Sequence, residues 1–313
     1  MPYRTPLLGK TDVGLTRDHN EDAFGSAVAA DGAVVLVVCD GMGGHEAGEV
    51  ASAVALQRLV DVLQGGPRDD APKLIYDALV AANQAVLDES DRTGHTTMGT
   101  TAVAALLQDD KLWFGWVGDS RLYHFRDCTL YQRSVDHTHV QRLVDAGLLT
   151  PEEARHHPDS NVLVQALGGG RGAQAEFAPA VVGEDTPLLP GDVLLLCSDG
   201  LYDLIDDDEL YPLMAGRDLD GAVTRLIEEA NARGGYDNVT ALVLIVDQDT
   251  VTPMPERPPG EEDLPATVEG SFDGPEDEGS PAIWRNRLVR YALPLVTGVA
   301  TGAAIGYLLR AQG

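Results

Sequence analysis

Asp40, Asp199 and Asp237 stand at strand ends or in turns, beside glycine or asparagine. Their settings are Cys39-Asp40-Gly41-Met42-Gly43-Gly44, Cys197-Ser198-Asp199-Gly200 and Asp237-Asn238-Val239-Thr240. The first two follow the apolar runs Val34 to Val38 and Val193 to Leu196, which read as buried strands. An acid at the end of a buried strand is either solvated in a turn or turned toward a cation. Three of them, far apart in the chain, predict one site assembled by folding. Hard carboxylate oxygens suit magnesium or manganese there.

The elements that must position these acids are legible in outline. Strand-like runs fall at 33–39, 101–107, 112–117, 121–125, 193–197 and 241–246, and Thr101 to Arg133 reads as a meander with turns at Asp109-Asp110 and Asp127. Helical spacing of apolar residues marks 46–64, 72–88 and 218–232. Strands and helices come in groups, which favours layered α+β packing over βαβ alternation. Residues 138–168 are polar and histidine-bearing, and Thr150 with Glu153 three positions on is a capping pair for a short helix. That segment reads as a mobile flap over a site or as an ordinary surface helix pair.

The chain has 313 residues, 44% of them hydrophobic, enough for a domain with its own core. A net charge of -28 leaves no basic face for nucleic acid, so nucleic-acid binding is excluded. Cys39, Cys128 and Cys197 are odd in number and lack metal-type spacing, which speaks against a disulfide framework. Cys39 and Cys197 lie inside strand runs and read as small core residues. Met1 to Lys10 is polar and proline-interrupted, unlike a secretory leader.

Three regions follow: a folded domain over 1–247, an acidic Pro/Gly-rich linker over 248–282 too poor in apolar residues to fold, and a C-terminal anchor over 283–313. Tyr291 to Leu309 carries no charge, and nineteen helical residues span roughly 28 Å, close to the bilayer core of about 30 Å. Arg285, Arg287 and Arg290 precede this transmembrane helix and only Arg310 follows, which places the domain in the cytoplasm of a single-pass cell-membrane protein. Gly298, Gly302 and Gly306 share one helical face, a pattern that lets two such helices pair as a homodimer.

The order of motifs resembles the protein phosphatase 2C family, the metal-dependent PPM phosphatases, in its bacterial form. The matching residues run from Arg17-Asp18-His19-Asn20-Glu21-Asp22 through Asp40-Gly41-Met42-Gly43-Gly44-His45, Met98-Gly99-Thr100-Thr101 and Gly118-Asp119-Ser120-Arg121. They continue with Asp136-His137-Thr138, Ala166-Leu167-Gly168, Gly191-Asp192, Ser198-Asp199-Gly200-Leu201 and Asp237-Asn238-Val239-Thr240. The resemblance covers about 4 to 247. It implies a central antiparallel β-sandwich flanked by helices on both faces, in four α/β/β/α layers. The implied activity is hydrolysis of phosphoserine and phosphothreonine in proteins, by direct attack of a hydroxide held between two metal ions.

The resemblance also implies roles for individual residues. Asp40 bridges two Mn2+ or Mg2+ ions, Asp199 and Asp237 complete one of them, and the Gly41 carbonyl, Glu21 and Asp22 serve the other. A glycine after Asp40 suits a backbone oxygen that must face an ion where a side chain would crowd. Asp119 helps hold a third ion, with Asp203 a weaker candidate. Arg17 clamps the phosphate, since guanidinium meets two phosphate oxygens in one plane; outside the motif it would read as a surface partner of Asp18 or Glu21. His45, at the start of a helix, is either a general acid for the leaving alkoxide or a plain helix residue. His19 and His137 read as structural hydrogen bonders. Bacterial relatives often reverse serine/threonine protein kinases, so such a kinase is the implied partner. A phosphoprotein-binding module with weak catalysis and a small-phosphoester phosphatase stand as alternatives. All the metal acids are present, and neither Cys39 nor Cys197 has the arginine that a cysteine phosphatase requires.

Overall fold

In the computed structural model, residues 6–44, 46–66, 69–169, 177–247 and 252–256 are described. Two antiparallel sheets pack face to face. One has five strands in the order β1 (Leu7–Asp12), β12 (Val239–Ile245), β11 (Val193–Cys197), β7 (Arg121–Arg126) and β8 (Thr129–Arg133). The other has seven: β10 (Ala180–Pro187), β6 (Lys111–Val117), β5 (Ala102–Gln108), β3 (Val34–Met42), β4 (Gly99–Thr100) and β9 (Leu167–Gly168) in line, with β2 (Asp22–Val28) paired to β3.

The central strands β3, β5, β6, β11 and β12 are apolar nearly throughout because each is covered on both sides, and the period of two divides their residues between the two coverings. Val34, Leu36 and Val38 of β3 face Leu194 and Leu196 of β11 and Leu242 and Leu244 of β12 across the sandwich. The alternate residues Val35, Val37 and Cys39 face α1 (Glu46–Gly65) and α2 (Ala71–Thr93). On the opposite flank Val193, Leu195, Cys197, Val239, Ala241 and Val243 face the layer containing α5 (Asp199–Tyr202), α6 (Asp207–Met214) and α7 (Leu219–Ala232). The four layers expected from the resemblance are present. Cys39 and Cys197 are fully buried free thiols, and burial raises both above the ordinary thiol range.

The expected turns at Asp109-Asp110 and Asp127 are tight, with Asp109, Asp110, Asp127 and Cys128 all at positive φ. The flap segment carries α3 (His139–Asp145) and α4 (Pro151–Arg155), and Thr150 and Glu153 cap α4 reciprocally. One difference concerns the expected linker. Residues 252–256 lie on the domain: Met254 is 1% exposed in the α6–α7 core, its backbone pairs with Gly216 and Arg217, and the Tyr211 hydroxyl donates to the Pro255 carbonyl at 3.2 Å. Among the described residues no helix is long and apolar enough to cross a membrane; 291–309, with Gly298, Gly302 and Gly306, lies outside them.

Candidate metal centre

The same alternation that sorts the core delivers polar groups to one end of the sandwich. Asp40 continues the inward series Val34, Leu36, Val38. Asp22 of β2 is its direct cross-strand partner. Ser198 continues Leu194 and Leu196, and Thr240 continues Leu242 and Leu244. The four converge: Ser198 Oγ and Thr240 Oγ1 donate to the same oxygen of Asp22, at 2.7 and 2.6 Å. Asp199 opens α5 immediately after Ser198.

Asp40 is fixed through its backbone. Its N–H donates to Thr101 Oγ1 at 3.0 Å, and its carbonyl accepts from Thr100 Oγ1 and the Thr101 N–H, both at 2.8 Å. Thr101 lies between β4 and β5, at the start of the strand expected over 101–107. Gly41 packs so closely on the carbonyl oxygens of Gly48 and Glu21 that a Cβ would collide with both. Only glycine fits between them. The Glu21 carboxylate lies against Gly48 in the first turn of α1. Asn238, to which sequence reasoning gave no role, binds this corner together: its Oδ1 accepts the Glu21 N–H, and its Nδ2 donates to the Val13 and His19 carbonyls.

Asp22, Asp40, Asp119 and Asp199 are crowded together with little to neutralise them. Burial first, then Asp199, Asp22 and Asp119, raise the Asp40 carboxyl well above its usual range. Burial first, then Asp119, Asp203 and Asp237, do the same to Asp199. Burial pushes Asp22 up to about 6 against the pull of Thr240 and Ser198, and burial with Asp136 pushes Asp119 up to about 7. Two ionised carboxylates about 4 Å apart repel by about 4 kcal/mol at an effective dielectric of 20. A hydroxyl hydrogen bond to a charged group returns only about 1.5–3 kcal/mol. Hydroxyls therefore cannot hold this group ionised, whereas a divalent cation can.

The residues fit such a cation. Asp22 Oδ1 and Asp199 Oδ1 are buried with no hydrogen-bond partner, and all the donors are hard oxygens. Among the described residues no three side chains are already closed around one point. Two of the acids are instead drawn toward protein partners: Asp22 to its two hydroxyls, and Asp237 to Arg17 at 2.6 Å. Arg17 is thus paired with Asp237, a partner that its bare sequence context did not suggest. It remains half-exposed at the mouth. Asp119 joins the group from the β6–β7 turn, its carbonyl accepting from Tyr202 Oη at 3.0 Å. Asp203 enters through its field on Asp199 and Asp119. His137 Nδ1 accepts the Gly118 N–H at 3.3 Å, and burial lowers the ring to about 4, so it is a neutral structural bonder as expected. His45 lies outside the described residues.

Residues 16–239 match the protein phosphatase 2C family. The chain belongs to that family. It is 38% identical over 245 residues to the serine/threonine protein phosphatase PstP of Mycobacterium tuberculosis, covering 77% of this chain and 45% of that protein. It therefore spans about half the length of this relative. It is 34% identical to the serine/threonine phosphatase stp of Listeria monocytogenes serotype 4b, covering 77% of this chain and 94% of that one. Among phosphatase 2C structures, the crystal structure of M. tuberculosis PstP/Ppp superposes with a TM-score of 0.70 at 35% identity, covering 78% of this chain and 99% of that chain. The catalytic domain of PstP in complex with two manganese ions gives 0.67 at 35% identity, covering 77% and 98%.

Proposed function

We propose that this phosphatase 2C chain is a metal-dependent protein serine/threonine phosphatase. One observation carries the reading: a knot of aspartates with raised carboxyl pKa values and orphaned oxygens lies beside a half-exposed arginine. Asp40, Asp199 and Asp237 would hold one Mn2+ or Mg2+ ion, and Asp40, the Gly41 carbonyl, Glu21 and Asp22 a second. Asp119, with Asp203, would hold a third. When bound, such ions make water nucleophilic at neutral pH and absorb charge on the phosphoryl group.

The protein's own share is placement. Ser198 and Thr240 orient Asp22, and Thr100 and Thr101 fix Asp40. Arg17 grips two phosphate oxygens through its planar fork and cannot lose its charge. His45, one residue before α1, protonates the leaving serine or threonine oxygen in this reading. Phosphoserine and phosphothreonine proteins are the substrates, a serine/threonine protein kinase among them. A helix over 291–309 moors the domain to the cytoplasmic face of the cell membrane and pairs through Gly298, Gly302 and Gly306.

The test is hydrolysis of a phosphothreonine peptide with Mn2+, with Mg2+ and with chelator. Turnover in both metals and none in chelator is expected; turnover unaffected by chelator overturns the metal reading. Sugar phosphates and nucleotides should react far more slowly than the peptide. Fractionation of the full chain against one ending at residue 280 checks the anchor. The full chain should sediment with membranes and the shorter one should not.

A further inference from the structure

Two large apolar side chains stand in the open beside Arg17. Leu15 is 70% exposed and Tyr236 is 65% exposed. Single exposed apolar residues are ordinary, and Val28, Val80, Leu148, Val162 and Leu189 are scattered over other elements. Leu15 and Tyr236 differ because the backbone brings them together. The Leu15 N–H donates to the Gly235 carbonyl at 2.8 Å. Gly14, at φ 77°, lies so close to the Asp237 and Gly235 carbonyls that no Cβ fits. Gly235, at φ 50°, leaves 3.0 Å between a would-be Cβ and Leu15 Cγ, and the Tyr236 ring folds back over Gly234, at φ 138°. Three glycines in conformations that other residues avoid thus clasp the two loops. The clasp fixes the backbones, while the two side chains remain uncovered.

The clasp sits at the phosphate position. Leu15 is two residues from Arg17, Tyr236 adjoins Asp237, and Arg17 and Asp237 join the loops again at 2.6 Å. An extended peptide advances about 3.3–3.6 Å per residue. With its phosphate on Arg17, the peptide has its neighbouring side chains within one or two residues of Leu15 and Tyr236. We infer that Leu15 and Tyr236 form a platform for an apolar residue flanking the phosphorylated residue of the substrate, and so set sequence preference. The supporting backbones need no ordering on binding, because the loops are already held. The inference rests on the protein phosphatase reading above.

The experiment uses the full chain in Mn2+ with three probes. Two are phosphothreonine peptides identical except for leucine or serine at the positions flanking the phosphothreonine. The third is p-nitrophenyl phosphate, which has no flanks. The leucine peptide should be preferred about tenfold in kcat/KM, the scale set by partial burial of one leucine. Leu15→Ser and Tyr236→Ser should each shrink the preference to about twofold through KM, with p-nitrophenyl phosphate turnover unchanged, while Tyr236→Phe should retain it. Equal rates on the two peptides with the unaltered chain overturn the platform and leave the phosphatase reading standing. So does a fall on all three probes together, which makes the clasp mere scaffold. Turnover of p-nitrophenyl phosphate with neither peptide cleaved sinks the protein-substrate reading itself.

Discussion

Both ends of the sandwich carry buried aspartate, and the two ends treat it in opposite ways. Asp192, 2% exposed at the start of β11, meets Arg126 through both oxygens, His124 Nε2 at 2.8 Å and the Leu189 N–H at 3.0 Å. Burial works against its charge, but the hydrogen bonds from Arg126 and His124 outweigh it and hold the carboxyl below its usual range. The same burial lowers the His124 ring, against the pull of Asp192. At the other end of β11, Asp199 and its neighbours Asp40 and Asp22 face mostly one another, and their carboxyls rise. The far end carries its own cation in Arg126. The near end has been left short of one, and that shortage marks the place where function enters.

The comparison breaks most visibly through Asp40→Ala or Asp199→Ala. Metal-dependent turnover of the phosphopeptide should fall by on the order of 10³-fold or more, since several kcal/mol of charge stabilisation go with the cations. In chelator neither variant should unfold more easily than the parent, because each removes a crowded carboxyl whose burial is unfavourable. A calorimetric Tm well below the parent's would contradict that.

Asp192→Asn should do the reverse, leaving a buried Arg126 without its partner. Such a loss costs about 3–5 kcal/mol, read by urea denaturation, while the folded fraction keeps its kcat. The pH response sharpens the contrast. Asp22 at about 6 and Asp119 at about 7 lie above the free value of 3.8. The folded chain therefore keeps protons that the unfolded chain has released, and without metal its stability falls as pH rises from about 4 to about 7. Asp192 has the opposite sign, its contribution being lost only as pH falls below about 3.8. The Tm in chelator should drop between pH 5 and pH 8, and saturating Mn2+ should flatten or invert that slope. A Tm in chelator that climbs over the same range would overturn the charge assignment. The smallest effect concerns Met254: Met254→Ala should cost about 2 kcal/mol, and a chain ending at 247 should melt lower than one ending at 256.

Much of this site is legible in the sequence because acids such as Asp40 and Asp199 terminate apolar runs, and an acid there is conspicuous. The turns at Asp109-Asp110 and Asp127 and the Thr150–Glu153 cap are local chemistry, readable within four residues. What escapes is non-local. The grip of Ser198 and Thr240 on Asp22 depends on which strands lie opposite, and a hydroxyl at an inward position betrays it only once the pairing is known. Arg17 finds Asp237 from 220 residues away. β1 and β2 are edge segments of mixed polarity, Leu-Leu-Gly-Lys-Thr-Asp and Asp-Ala-Phe-Gly-Ser-Ala-Val, without the continuous apolar signal of covered strands. β10 is also an edge, and its register shifts between Val182 and Thr186. Residues 252–256 read as linker because one methionine among prolines gives little sign that it is docked.

That docking decides where a tether can pull. Met254 is plugged into the outer helical layer, and the next carbonyl, of Pro255, meets the Cys128 thiol at the β7–β8 hairpin tip, the rim opposite Asp40. Tension on the chain leaving Glu256 would load that rear hairpin and spare the strands that carry the acids. If residues 291–309 are anchored as proposed, the pull would reach the domain at the rim away from the acids.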